Sequence, residues 1–296
     1  MFSIPSLETL IEKLENPLFV EKGVSLYVLR LDRIDTHISG NKWFKLKYNL
    51  LDAKEKGFQK ILTFGGAFSN HIVATASAGK LFGFETIGII RGEEILPLNP
   101  RLQFAQDSGM ALHYIDREQY RDKENPLFIE SLKEKFGDFY LIPEGGSNAL
   151  SIRGTAEILS FLPQYPIHFD AVCTCVGTAG TLSGLAVSLF NTQTQLVGIA
   201  TLKNASFLYD DAYKLLESGQ YIQYQNFEVL LDYHFGGYAK SKPELLQFIE
   251  KFQEQHNIPI EPVYTGKLFY GVFDSIKKGF FKPSSNILVI HCGGIF

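Results

Sequence analysis

Ala171-Val172-Cys173-Thr174-Cys175-Val176-Gly177-Thr178-Ala179-Gly180-Thr181 joins an apolar run to a glycine-bearing turn and then to a helical pattern. The first six residues lack the polar alternation of a half-exposed strand, as burial on both faces requires. Gly177 and Gly180 close the run, and a helix is predicted over 181–189. The order strand, glycine, helix implies a parallel strand feeding a crossover helix.

The same order recurs on both sides. Strand-like runs occur at 25–31, 60–64, 86–90, 139–142, 196–199 and 287–290. Helical periodicity marks 44–56, 69–82, 127–136, 205–217 and 243–255. The expected class is therefore α/β: open, twisted, mostly parallel sheets with helices on both faces. Glycine breaks at 65–66, 145–146, 177–180, 236–237 and 293–294 mostly follow predicted strands. Ligands of open α/β sheets bind beyond the carboxyl ends of strands, so these breaks suggest one shared crevice. Alternation persists throughout, and composition alone marks no domain boundary.

A chain of 296 residues, 45% hydrophobic, can bury a large core. A net charge of −4 gives no reason to expect nucleic acid or an anionic membrane as partner. No apolar run is long enough for a membrane span, and the first fifteen residues lack a signal-peptide layout. A cytoplasmic protein is the expectation. Cys173, Cys175 and Cys292 are too few for a disulfide framework. Cys173-Thr174-Cys175 lacks a second ligand pair, so it reads as buried strand, and no metal site is expected.

Four segments could carry chemistry. Gly177, Thr178, Ala179, Gly180 and Thr181 open a helix with free N–H groups and two hydroxyls, which suits a phosphate. A capped turn is the plainer alternative. Ser69-Asn70-His71 starts a second helix after Gly65-Gly66, suited to a carboxylate, or Ser69 only caps and His71 is structural. Lys42 stands at the entrance of a third helix, after Ser39-Gly40-Asn41; imine chemistry needs a desolvated amine, and Lys45 and Lys47 lie close by. In Glu261-Pro262-Val263-Tyr264-Thr265-Gly266-Lys267, Tyr264 could move a proton and Thr265 could bond a heterocyclic nitrogen, although most tyrosines only pack.

In this order the segments resemble the family of D-cysteine desulfhydrase and 1-aminocyclopropane-1-carboxylate deaminase. These are pyridoxal 5'-phosphate enzymes of fold type II, the tryptophan-synthase β-like fold. The resemblance runs from about Ser25 to Gly294 and includes Gly145-Gly146-Ser147, Tyr238 and His291-Cys292-Gly293-Gly294. It implies two domains, a small one of 44–146 and a large one of 1–43 and 147–296, with the cofactor between them. It makes Lys42 the Schiff-base lysine and the base for the α-proton. Asn70 would bond the cofactor's phenolic oxygen, and Gly177 through Thr181 would hold its phosphate. Ser69 with the neighbouring helix-start amides of Asn70 and His71 would bind the substrate carboxylate. Tyr238 and Tyr264 match the family's two active-site tyrosines.

The cyclopropane deaminases carry glutamate after the second tyrosine, where this chain has Thr265. A hydroxyl leaves the pyridine nitrogen largely neutral and weakens the electron sink, which favours β-elimination of a good leaving group over ring opening. A lyase acting on a small, D-cysteine-like amino acid is therefore expected. Ring-opening deamination and a cofactor-holding protein without turnover are the rivals. Family members are commonly dimers, so a homodimer is expected. The sequence departs from the family at Ser39, Trp43-Phe44, Ala239-Lys240 and after Gly294, positions that bear on the pocket wall.

Overall fold

The computed structural model describes residues 5–294 except 225. In chain order, β1 (Ile11–Leu14), α1 (Pro17–Lys22) and β2 (Ser25–Arg30) precede α2 (Asn41–Glu55). Then β3 (Lys60–Gly66), α3 (Asn70–Phe82), β4 (Glu85–Arg91), α4 (Pro100–Asp107), β5 (Met110–Ile115), α5 (Pro126–Phe136) and β6 (Tyr140–Ile142) alternate. They are followed by α6 (Ala149–Ala156), β7 (Ala171–Val176), α7 (Gly180–Ser188), β8 (Gln195–Ala200) and α8 (Phe207–Ser218). Last come β9 (Phe227–Leu230), α9 (Pro243–His256), α10 (Thr265–Lys277) and β10 (Asn286–His291).

The strands form two sheets, ordered β1-β2-β10-β7-β8-β9 and β5-β4-β3-β6. All pairings are parallel except the antiparallel β1–β2 edge. The α/β expectation of mostly parallel sheets with helices holds. Every residue of β7 is buried, as its unalternating sequence requires. Three strands escaped the sequence pattern: β1, β5 and β9. Each is the outermost strand of its sheet, and β5 buries only Met110 fully. Edge strands keep polar positions, so they do not read as continuous apolar runs.

Each sheet has a switch in strand order, between β3 and β6 and between β7 and β10. Crevices form at such points beyond the strands' carboxyl ends. The glycine pairs 65–66, 145–146 and 293–294 and the turn at Gly177 all sit at the ends of these four strands. The helices that begin there have local reasons to do so. Ser69 caps α3 by accepting from the Ile72 amide at 3.4 Å, and Asn148 caps α6 with a reciprocal bond to Ser151.

Helices α2 and α6 pack backbone against backbone. A Cβ at Gly154 in α6 would lie 1.9 Å from the Phe44 carbonyl oxygen in α2, a contact only glycine avoids. Gly154→Ala is therefore expected to cost at least about 2 kcal/mol, as overpacking does. A urea midpoint equal to that of the native protein would contradict this packing.

Candidate active site

The start of α2 is fixed by one backbone contact. Gly40 has φ of +66°, and a Cβ there would stand 1.8 Å from the Cys292 carbonyl oxygen just past β10. Only glycine tolerates both. The Asn41 amide donates to that same carbonyl at 3.3 Å, and Asn41 Nδ2 donates to Thr181 Oγ1 at 2.8 Å. Three elements thus converge, and Lys42 follows directly.

Two lysines of α2 enter the same cavity, which has a volume of about 320 Å³. The buried Lys45 ammonium donates to the Gly145 carbonyl at 3.0 Å, Ser147 Oγ at 2.9 Å and Thr178 Oγ1 at 3.1 Å. Its three protons are spent. Lys42 makes no side-chain hydrogen bond or ion pair with any described residue. Burial pulls both amines below the ordinary lysine range, Lys45 further because Lys42 also repels it. Lys47, by contrast, pairs with Glu157 outside this cavity. Of the two cavity lysines, Lys42 is therefore the desolvated amine without a partner among the described residues.

The turn after β7 lies opposite. Gly177, Thr178 and Thr181 line the cavity. Ala179 and Gly180 are buried behind them, and a Cβ at Gly180 would press on Ser147 and Lys45. A glycine turn, a buried cation and the hydroxyls of Ser147 and Thr178 form a donor set suited to a phosphate.

Ser69, Asn70 and His71 all reach the cavity from the start of α3. Asn70 Oδ1 accepts from Arg101 Nε at 3.0 Å. His71 is both a structural and a site residue. The single Thr63 hydroxyl proton goes to the Ile142 carbonyl at 2.8 Å, so the 2.8 Å contact with His71 Nε2 has the ring donating. Burial, with the charges of Lys42 and Lys45, holds His71 well below the usual histidine range. The neutral ring therefore keeps a bare Nδ1, which has no hydrogen-bond partner.

Tyr264 and Tyr238 also line the cavity, their rings edge to face with centroids 6.3 Å apart. Burial raises both hydroxyls above the normal tyrosine range, Tyr264 far more. Thr265 does not line the cavity. Fully buried, its hydroxyl accepts from the Glu261 amide at 2.9 Å and lies 3.3 Å from the Glu261 carboxylate. That carboxylate accepts the amides of Val263, Tyr264 and Thr265 at 2.7–2.9 Å, capping α10 with a negative charge at its positive end.

Sequence reasoning did not single out four contributors. Glu261 is the cap of α10, which the chain hides because no Ser, Asp or Asn stands just before Thr265. Lys267 is fully buried and donates to the carbonyls of Thr201 and Gly237, at 3.1 and 2.7 Å, bracing the segment that carries Tyr238; burial lowers it to about 8. Cys175 and Cys292 are buried, as expected, and also line the cavity. Interaction with the Cys175 thiol, with Thr174 Oγ1 3.4 Å away, lowers Cys292 below the ordinary thiol range, whereas Cys175 is raised. No cluster of three metal ligands occurs among the described residues, and no described helix is long and apolar enough to cross a membrane. The departure expected after Gly294 lies outside the described residues.

The donor set fits a phosphorylated pyridine aldehyde: an unpartnered desolvated amine, a phosphate-type cradle, and a cavity within the range of small-molecule sites. The comparisons agree. Residues 11–293 match the family described as "Pyridoxal-phosphate dependent enzyme". A protein of Pyrococcus horikoshii provisionally named 1-aminocyclopropane-1-carboxylate deaminase is 33% identical, over 97% of this chain and 90% of its own. The bifunctional D-cysteine desulfhydrase/1-aminocyclopropane-1-carboxylate deaminase of Arabidopsis thaliana is 28% identical, over 99% of this chain and 78% of its own. The crystal structure of an ACC deaminase homologue superposes with a TM-score of 0.83 at 31% identity, covering 100% of this chain and 90% of that one. The chain belongs to the pyridoxal-phosphate dependent enzymes. Within them it is a lyase of the 1-aminocyclopropane-1-carboxylate deaminase and D-cysteine desulfhydrase group, of fold type II.

A thiol held below its ordinary range carries more thiolate at neutral pH and reacts faster there. In the cofactor-free protein, iodoacetamide is expected to alkylate Cys292 faster than Cys175 across the neutral range. Preferential labelling of Cys175 would contradict the assignment.

Proposed function

We propose that this lyase carries out β-elimination on a small amino acid of the D-cysteine type, yielding a keto acid, ammonia and sulfide. The observation that carries the proposal is the contrast between the two cavity lysines: Lys45 is consumed by three acceptors while Lys42 is desolvated and unpartnered. Pyridoxal phosphate, when bound, supplies the electron sink, and the protein selects the bond that breaks.

Lys42 would hold the cofactor and, once released as a neutral amine, take the α-proton. The positive end of α3, with Ser69 and Asn70, receives the substrate carboxylate. Gly177, Thr178, Gly180 and Thr181 would hold the phosphate of the cofactor, and Lys45 would offset its charge. The α C–H pair becomes the Cα=Cβ bond, and the Cβ–S pair leaves with sulfur. Tyr264, kept protonated by burial, delivers a proton to the departing sulfur, with Tyr238 beside it. Water then converts the released enamine to keto acid and ammonium. No carboxylate stands at 265, and Glu261 is committed to three backbone amides, which supports elimination over chemistry that needs a stronger sink. Ring opening of 1-aminocyclopropane-1-carboxylate is the second reading, favoured by the name of the Pyrococcus relative.

The test is a panel of D- and L-amino acids with 1-aminocyclopropane-1-carboxylate, read as keto-acid release. Pyruvate with sulfide from D-cysteine is expected, and little 2-oxobutyrate. The reverse would favour ring opening. Lys42→Ala is expected to remove the absorbance band of lysine-bound cofactor and to slow release at least about a hundredfold; an unchanged band would refute the role of Lys42.

A further inference from the structure

The cavity lining carries Lys42, Lys45, Arg91 and Lys123 against Glu144 and Asp211. All but one of these cations have a task. Lys45 belongs to the phosphate cradle. Lys123 lies 3.6 Å from the Glu144 carboxylate. Lys42 reacts. The substrate's α-carboxylate has the positive end of α3.

Arg91 is left over. It ends β4 in register with Gly66, at the lip of the crevice. Its half-buried guanidinium makes no hydrogen bond or ion pair with any described residue, so its five donors are unused. It is nonetheless held in place, over the rings of Tyr120 at 5.4 Å and Tyr238 at 5.5 Å. Arg91 Nη2 and Tyr238 Oη converge on one point: they lie 3.4 and 3.3 Å from the Cβ that Gly66 lacks. Gly66 also keeps that approach open. A fixed planar fork beside a hydroxyl suits an oxyanion, whose geometry it matches in two contacts.

We propose that Arg91, with the Tyr238 hydroxyl, recognises an oxyanion on the β-substituent of the amino-acid substrate. This inference rests on the elimination reading and deepens it. Among three-carbon amino acids the site would favour a β-substituent ending in carboxylate, sulfonate or sulfate over a neutral one. For a sulfate ester, the α-proton passes to Lys42, the C–H pair forms Cα=Cβ, and the Cβ–O pair departs with sulfate as a dianion facing Arg91.

Aspartate and asparagine separate this charge from shape, being nearly isosteric and lacking a good leaving group. Their binding to the cofactor-loaded protein is measured by calorimetry, for both enantiomers. Aspartate is expected to bind about ten- to a hundredfold more tightly than asparagine, the effect of one charged hydrogen-bonded contact. Arg91→Gln should remove that preference, and Arg91→Lys should keep part of it. Equal binding of the two ligands by the native protein would overturn the proposal. So would an Arg91→Gln loss of equal size for both, since Arg91 would then anchor the α-carboxylate they share. β-Chloroalanine and serine O-sulfate, assayed for pyruvate, report on elimination separately. Failure of both with the aspartate preference intact would count against the lyase reading and support Arg91 as an oxyanion site.

Discussion

The site depends on the approach of Gly40 to the Cys292 carbonyl. A backbone contact that admits no Cβ joins the start of α2 to the end of β10. Because β10 runs between β2 and β7, the contact sets α2 beside the turn that follows β7. Asn41 completes the clamp by reaching Thr181. Lys42 comes next in the chain, so its amine is delivered to the crevice by main-chain geometry rather than by a flexible loop. Rigid placement of this kind is what a reacting amine needs.

The same helix then divides labour between two lysines three residues apart. Helical spacing puts Lys42 and Lys45 on neighbouring sites of one face, and burial penalises both charges. Their surroundings differ. Gly145, Ser147 and Thr178 offer Lys45 three acceptors, which make it a fixture of the cradle. Lys42 has none, so its amine is left without a partner in the cavity. His71, neutral and with a bare Nδ1, sits beside them without adding positive charge.

Much of this was legible in the chain. Strand β7 and its glycine turn announced a buried parallel strand, and the glycine pairs pointed to one crevice at the strand ends. What was hidden depended on tertiary contact. Edge strands β1, β5 and β9 carry mixed composition because one side faces solvent. Apart from the family resemblance, Lys45 could not be told from Lys42 in sequence, since its acceptors lie about a hundred or more residues away. Thr265 sits next to Tyr264, yet only the fold shows that its hydroxyl turns to Glu261. Arg91 gave no signal either, because an arginine after a strand is usually solvated, and its isolation between two tyrosines exists only in three dimensions.

The central claim is that the reactive amine is Lys42 and that Lys45 is held back from it. Borohydride reduction of the cofactor-loaded protein, followed by peptide mass spectrometry, reads this directly by fixing the cofactor where it is bound. The account predicts a single reduced pyridoxyl adduct on Lys42. An adduct on Lys45, or a mixture of comparable amounts on the two, would contradict it.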